Sequence, residues 1–214
     1  RRQFTVLEKK APDNAEVLYA LGLLNLQANK VAEAERNFLK LAKAPDRDSD
    51  AAVYLGQIEE PRGKQEAALA RYQSVTTGSN LFPAQLRRAV LLASLARLDE
   101  ARKLLTEVKA DDEAERSQLA LNHAEILVAH EQMDEAMKVY DQALNGVYDM
   151  ALLYNRAMLA ERMGRLELLE SDLKAVLARE PDNAQALNAL GFTLADRTTR
   201  YEEARALIEK ALQV

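Results

Sequence analysis

The residue types that carry most enzyme chemistry are scarce in this chain, and their spacing works against a shared site. There is no cysteine, and the only histidines are His123 and His130. Without Cys there is no thiol nucleophile, no thiolate metal site and no disulfide. If both histidines lie on one helix, seven residues separate them by about 10 Å along its axis. Zinc ligands bind at about 2 Å, so the two cannot share an ion. His130-Glu131 lacks the second histidine of a zinc-protease helix. The acidic group Asp111, Asp112, Glu113 and Glu115 has neither the alternating ligands nor the bend glycine of a calcium loop. At the start of a helix it would instead complement the positive end of the dipole. No nucleophile motif, phosphate-cradling glycine loop or dinucleotide fingerprint is present. The expectation is a protein without catalytic residues, metal or cofactor, whose surfaces act by binding.

The elements that would position such surfaces are helices. Of 214 residues, 35 are Leu and 37 Ala, against 22 for Val, Ile and Thr together. Straight-chain residues lose less rotamer freedom in a helix than β-branched ones. Seven Gly and five Pro are too few for the turns of a sandwich or barrel. The net charge of −5, with no long basic run, argues against nucleic acid and anionic membrane as partners. No apolar run approaches the ~20 residues of a membrane span. The chain starts at Arg1 without a Met, so the expectation is a segment of something longer, with any targeting signal or membrane anchor outside it.

Spacing reveals a repeat. Twelve residues after Gly22 comes Ala34, then Phe38 and Leu41; twelve after Gly56 comes Ala68, then Tyr72 and Val75. The anchors Ala34, Ala68, Ala101, Ala136, Leu169 and Ala204 stand 33 to 35 residues apart. Gly22, Gly56, Gly191 and their counterparts Ala89, Ala124 and Ala157 are small where two helices must cross closely. Large residues behind the second-helix anchors form an apolar stripe. Pro12-Asp13-Asn14 and Pro181-Asp182-Asn183 stop one helix and cap the next. Gly63 and Gly164, with Asn29, fit tight turns inside pairs, where positive φ is cheap for Gly. Pro61 should shorten the first helix of the second unit, and Thr76 to Asn80 reads as a turn. Arg88 stands where Leu21 and Leu55 do, and residues 196–200 carry one extra position. His123 takes the place of Leu21 and is expected to pack; His130 is expected near a helix end, facing solvent.

A period near 34 split into two helices resembles the tetratricopeptide repeat (TPR) family. The resemblance covers the whole chain. It implies an all-α, right-handed α-solenoid of antiparallel helix pairs, a TPR superhelix, as one array over 1–214. Its units fall at about 15–46, 49–81, 82–115, 117–148, 150–183 and 184–214, after a leading helix at 1–11. It also implies a concave face lined by first helices, and the residues there are the candidate contacts for a peptide or protein. They are Tyr19, Leu23 and Gln27, then Tyr54, Gln57 and Glu60, then Arg87 and Val90. Asn122 and Glu125 follow, then Tyr154, Asn155, Met158 and Arg162, and last Asn188 and Phe192. Asn122, Asn155 and Asn188 recur every 33 residues, and an amide ladder could grip a peptide backbone. The Lys/Arg/Asn clamp that chaperone-type members close on a terminal carboxylate is missing, since Tyr19, Leu23, Tyr54 and Leu86 hold the matching places.

The run Ala186 to Arg197 is similar to a stretch in large TPR lipoproteins of Gram-negative envelopes. Some of these are adaptors that deliver substrates to carboxyl-terminal processing proteases. That likeness implies a periplasmic protein tethered to the outer membrane through an anchor outside this segment, with such a protease and its substrates as partners. An assembly or oligomerisation module of an envelope or secretion complex is a second reading. The regulatory region of a larger enzyme, such as a glycosyltransferase, is a third. A cytoplasmic location stays open beside the periplasmic one.

Overall fold

The computed structural model describes residues 13–44 and 46–214. The expected leading helix at 1–11, with Pro12, lies outside them. The described residues form an α-solenoid of stacked antiparallel helix pairs with no strand. The chain divides into two compact units at Lys109/Ala110. The first unit holds α1 (Ala15–Gln27), α2 (Val31–Leu41), α3 (Asp48–Glu59), α4 (Gln65–Ser74), α5 (Leu81–Ser94) and α6 (Leu98–Glu107). The second holds α7 (Glu113–Ala129), α8 (Met133–Ala143), α9 (Met150–Arg162), α10 (Leu166–Arg179), α11 (Ala184–Arg197) and α12 (Tyr201–Ala211). Within each unit a helix packs on its pair mate, and each second helix packs on the first helix of the next pair.

First and second helices begin differently. Asn14, Asp112, Asp149 and Asn183 cap α1, α7, α9 and α11, each side-chain oxygen accepting from the backbone N–H three residues on. Each such cap is worth about 1 kcal/mol. Glu115 also accepts from the Asp111 N–H at 2.9 Å, so part of the acidic group is a capping arrangement. Second helices start at Lys30, Lys64, Arg97, Gln132, Arg165 and Arg200, none of which makes a side-chain cap bond. In the first five pairs the turn is closed from the other side. The N–H of the starting residue donates to the carbonyl five residues back, as Lys30 does to Asn25 and Gln132 to Leu127. This closure needs a left-handed residue just before it. Asn29, Gly63 and Gly164 serve as expected, but so do Ala96 (φ 60°) and Glu131 (φ 61°). A side chain with Cβ costs roughly 1–2 kcal/mol there, which the helix pairing overrides. In the sixth pair the extra residue removes the need: Thr198 is extended, its hydroxyl donates to Leu194 O and accepts from Arg200 N–H.

The small residues work as crossings. A Cβ on Gly22 would lie 2.5 Å from the Phe38 ring, and one on Gly56 2.7 Å from that of Tyr72. A Cβ on Gly191 would lie 2.8 Å from Ile208. Ala34, Ala68, Ala101 and Ala136 are fully buried. As expected from Pro61, α3 stops at Glu59 and passes into one 3-10 turn, Glu60–Arg62. His130 follows the last turn of α7, and both histidines are half-buried.

Ion pairs stitch neighbouring pairs inside each unit. Arg62 meets Glu35 (2.6 Å) and Arg97 meets Glu66 (3.7 Å) in the first; Arg165 meets Asp134 (2.8 Å) and Arg200 meets Glu170 (2.7 Å) in the second. The second unit adds a buried pair. Asp172, 2% exposed, receives two bonds from Arg156, which also reaches Asp141 at 2.8 Å. Among the described residues no helix is long and apolar enough to cross a membrane.

Candidate peptide-binding face

In the first unit the candidate residues are occupied with one another. Tyr19 and Tyr54 meet edge to face at 5.9 Å, their hydroxyls 3.5 Å apart. Tyr54 also stacks on Phe38 at 4.8 Å, and the Arg47 guanidinium lies 4.8 Å over Tyr19. Burial first, and then the contact with Tyr19, pushes the Tyr54 phenol up to about 12. Leu23 packs at the margin of the core, and Gln57 is half-buried. Arg87 is exposed and faces Glu60 at 3.7 Å. Glu60 in turn accepts the Tyr72 hydroxyl. Tyr72 is well above the ordinary phenol range, from burial first and then from that bond.

In the second unit four candidates come together. Glu125 on α7 and Asn155, Met158 and Arg162 on α9 line a cleft of ≈ 360 Å³, with Leu121 and Val128 of α7, Leu159 of α9 and Tyr140 of α8. Helices α7 and α9 are in contact beside it. Glu125 and Arg162 are exposed, and neither has an ion partner among the described residues. Tyr140 is only 5% exposed, and its hydroxyl has no hydrogen-bond partner among the described residues. Its phenol is pushed up to about 12, by burial first and then by the charge of Glu125.

The remaining candidates of the second unit, Asn122, Tyr154, Asn188 and Phe192, do not line the cleft. Tyr154 is half-buried and packs against the core of its unit. Asn122 and Asn155 each spend an amide N–H on their own helix, donating to Gln118 O (2.9 Å) and Ala151 O (2.8 Å). What they offer outward is the amide oxygen and one N–H. Asn188 is exposed but stands three residues before Gly191, whereas Asn122 and Asn155 stand two before Ala124 and Ala157. One residue is about 100° of helix turn, so the 33-residue recurrence does not put all three amides on one face. Phe192, 61% exposed, projects from α11.

Leu121, Val128, Leu159 and Tyr140 were not among the sequence candidates. Tyr140 comes from a second helix, outside the first-helix face that the resemblance singles out. The signal was nonetheless present. Tyr72 and Tyr140 both stand four residues after the buried Ala of a second helix, but Glu60 has Val128 as its counterpart. A second, smaller cleft in the first unit is lined by Glu66, Leu69, Ala70, Gln73, Arg88, Leu92 and Arg97. Among the described residues no group of three or more His, Cys, Asp or Glu could hold a metal ion.

Comparison with known proteins agrees with this architecture. The chain is 45% identical over 164 residues to a TPR repeat-containing protein of Pseudomonas aeruginosa. The match takes in 76% of this chain but 28% of that relative, so the chain spans under a third of its length. A crystal structure of a tetratricopeptide repeat protein from Parabacteroides merdae superposes with a TM-score of 0.65 at 19% identity, covering 99% of this chain and 84% of that one. PilF of Pseudomonas aeruginosa superposes with a TM-score of 0.64 at 18% identity, covering 93% and 89%. These two likenesses speak to the fold alone. A family model described as tetratricopeptide repeat matches residues 1–48, 19–81 and 154–213. With that match and six helix pairs on one frame, the chain belongs to the tetratricopeptide repeat family.

Proposed function

We propose that the chain is a non-catalytic scaffold that holds an extended segment of a partner protein on the first-helix face of its second unit. The observation that carries this is the α7–α8–α9 cleft. It has apolar walls, an acid and a base with no ion partner among the described residues, and outward polar atoms on Asn155. Apolar lining with a few placed polar groups is the usual make-up of a ligand site. Met adapts to varied apolar partners, and Arg is enriched at interface hot spots.

In the longer protein, the reading we favour is an envelope adaptor that delivers substrates to a carboxyl-terminal processing protease. It would be periplasmic, tethered to the outer membrane by an anchor outside residues 1–214. The likeness of Ala186–Arg197 to TPR lipoproteins of that kind supports it. The test is affinity capture with the full-length protein from its own organism, identified by mass spectrometry and repeated with Asn155→Ala plus Met158→Ala. The expected result is a processing protease and its substrates in the wild-type capture, with substrates lost at least about 10-fold in the double variant. Undiminished capture by a folded variant would remove this face from the reading. A capture without a protease would remove the adaptor role.

A further inference from the structure

We infer that the α7–α8–α9 cleft takes a basic side chain, lysine or arginine, of the segment it holds; this rests on the peptide-holding reading above and names the chemistry of its occupant. The walls suit such a side chain. Leu121 and Val128 on one side and Met158 and Leu159 on the other are apolar. The methylene stem of Lys or Arg packs on surfaces of this kind while its head seeks polar partners.

Two groups are placed for that head. Glu125 lines the cleft with no ion partner among the described residues, although most arginines of this chain are paired elsewhere. Tyr140 also lines the cleft, and its hydroxyl makes no hydrogen bond among the described residues. The charge that reaches this phenol is the negative charge of Glu125, which, after burial, helps to hold its proton on. Glu125 is thus the charged lining group that bears on Tyr140, and its carboxylate attracts an ammonium or guanidinium and repels another carboxylate. Arg162, exposed in the last turn of α9, limits the site to a single cation. It can also pair with a carbonyl or an acidic residue on the same segment. At ≈ 360 Å³ the cleft is at the small end of ligand sites, suited to one side chain and its adjoining backbone.

The equivalent place in the second pair lacks this chemistry. In the second pair, Glu60 has already taken the tyrosine hydroxyl and faces Arg87. In the fourth and fifth pairs the counterparts are Val128 and Asn155, neither of which supplies a charge.

The test uses the 214-residue chain labelled with 13C at its methionine methyls, with the Met158 signal assigned by Met158→Leu. It is titrated with four pools of eleven-residue peptides, random but for a central Lys, Arg, norleucine or Glu. The Lys and Arg pools should move Met158 at concentrations about 10-fold lower than the other two. Glu125→Gln should shrink that preference to under about 2-fold, and Tyr140→Phe should weaken it by roughly 3-fold. Both substitutions leave the core volume nearly unchanged, so they should report binding and not folding. Equal response to norleucine or Glu pools, or a preference for Lys that survives Glu125→Gln, overturns the inference while the scaffold reading stands. If no pool moves Met158 or any other first-helix signal, both fall together.

Discussion

Tyr72 and Tyr140 occupy the same place in the second and fourth helix pairs, and the two pairs treat them in opposite ways. Tyr72 lies against Gly56, where a Cβ would come within 2.7 Å of the ring, and its hydroxyl donates to Glu60, which in turn faces Arg87. The node is closed by polar contacts within the chain. In the fourth pair, Ala124 replaces the glycine, so its tyrosine cannot come as near the first helix. Val128 replaces the acid, and Asn155 of the next pair replaces the arginine. What is left is a cleft lined by Tyr140, whose hydroxyl makes no hydrogen bond among the described residues. The first pair shows a third solution, in which Phe38 stacks directly on Tyr54. The repeat frame therefore fixes only the backbone and the apolar contacts. Three side chains around one second-helix aromatic decide whether a given node is sealed by polar contacts or left as an open cleft.

The two units also bury a carboxylate differently, and this gives the largest expected effect. Asp172 is held by two short bonds from Arg156, whereas Glu59 has one contact to Arg71 at 3.5 Å and its Oε2 has no partner. Arg156→Ala strands a buried charge and should cost about 3–5 kcal/mol. Arg71→Ala removes a weaker contact and should cost about 1–3 kcal/mol. Urea unfolding, followed by hydrogen exchange in α9 and α10 against α3 and α4, measures both. Equal losses would mean that the two sites do the same work.

Exchanging the residues that distinguish Tyr72 from Tyr140 is the next test. Glu60→Val should leave Tyr72 without an acceptor and destabilise the chain by about 1–3 kcal/mol in thermal melts. Val128→Glu should give Tyr140 an acceptor and change stability by less than about 1 kcal/mol. A melt unchanged by Glu60→Val would show that the closed node owes nothing to that bond.

The smallest effect is electrostatic and depends on pH. The Arg200 guanidinium first, and then Lys174, hold the Glu170 carboxyl down at about 2, against an ordinary value of 4.5. A depressed carboxyl stabilises the fold above its unfolded value and loses that contribution as pH falls through its folded one. Arg200→Gln should therefore lower the melting temperature at pH 7 by a degree or two, about the size expected for a surface pair. The gap from wild type should close between pH 4.5 and about 2. A gap that persists at pH 2 would assign the effect to packing of the Arg200 stem.

Much of the architecture was written in short-range chemistry. The period near 34, the small residues at crossings and the Asn14 and Asn183 caps were legible because each rests on neighbours within one or two helices of the sequence. The same local logic identified Asn29, Gly63 and Gly164 as turn residues, but it missed Ala96 and Glu131. Nothing intrinsic to Ala or Glu favours a left-handed conformation, and only the pairing of two helices imposes it.

At the candidate face the sequence alone named the first helices as the lining and Glu125, Asn155, Met158 and Arg162 as candidates on them. The tertiary structure decided that these four share one cleft while Tyr154 turns into the core and Asn188 lies about 100° out of step with Asn122 and Asn155. It also decided that Tyr140, from a second helix, lines the cleft. The physical reason is that helical spacing specifies a side chain's direction only relative to its own axis. Which polar groups find partners depends on how three helices from two successive pairs pack, and that is settled by side-chain volumes such as Ala124 and Val128, on a different helix from the Tyr140 hydroxyl they leave without a partner.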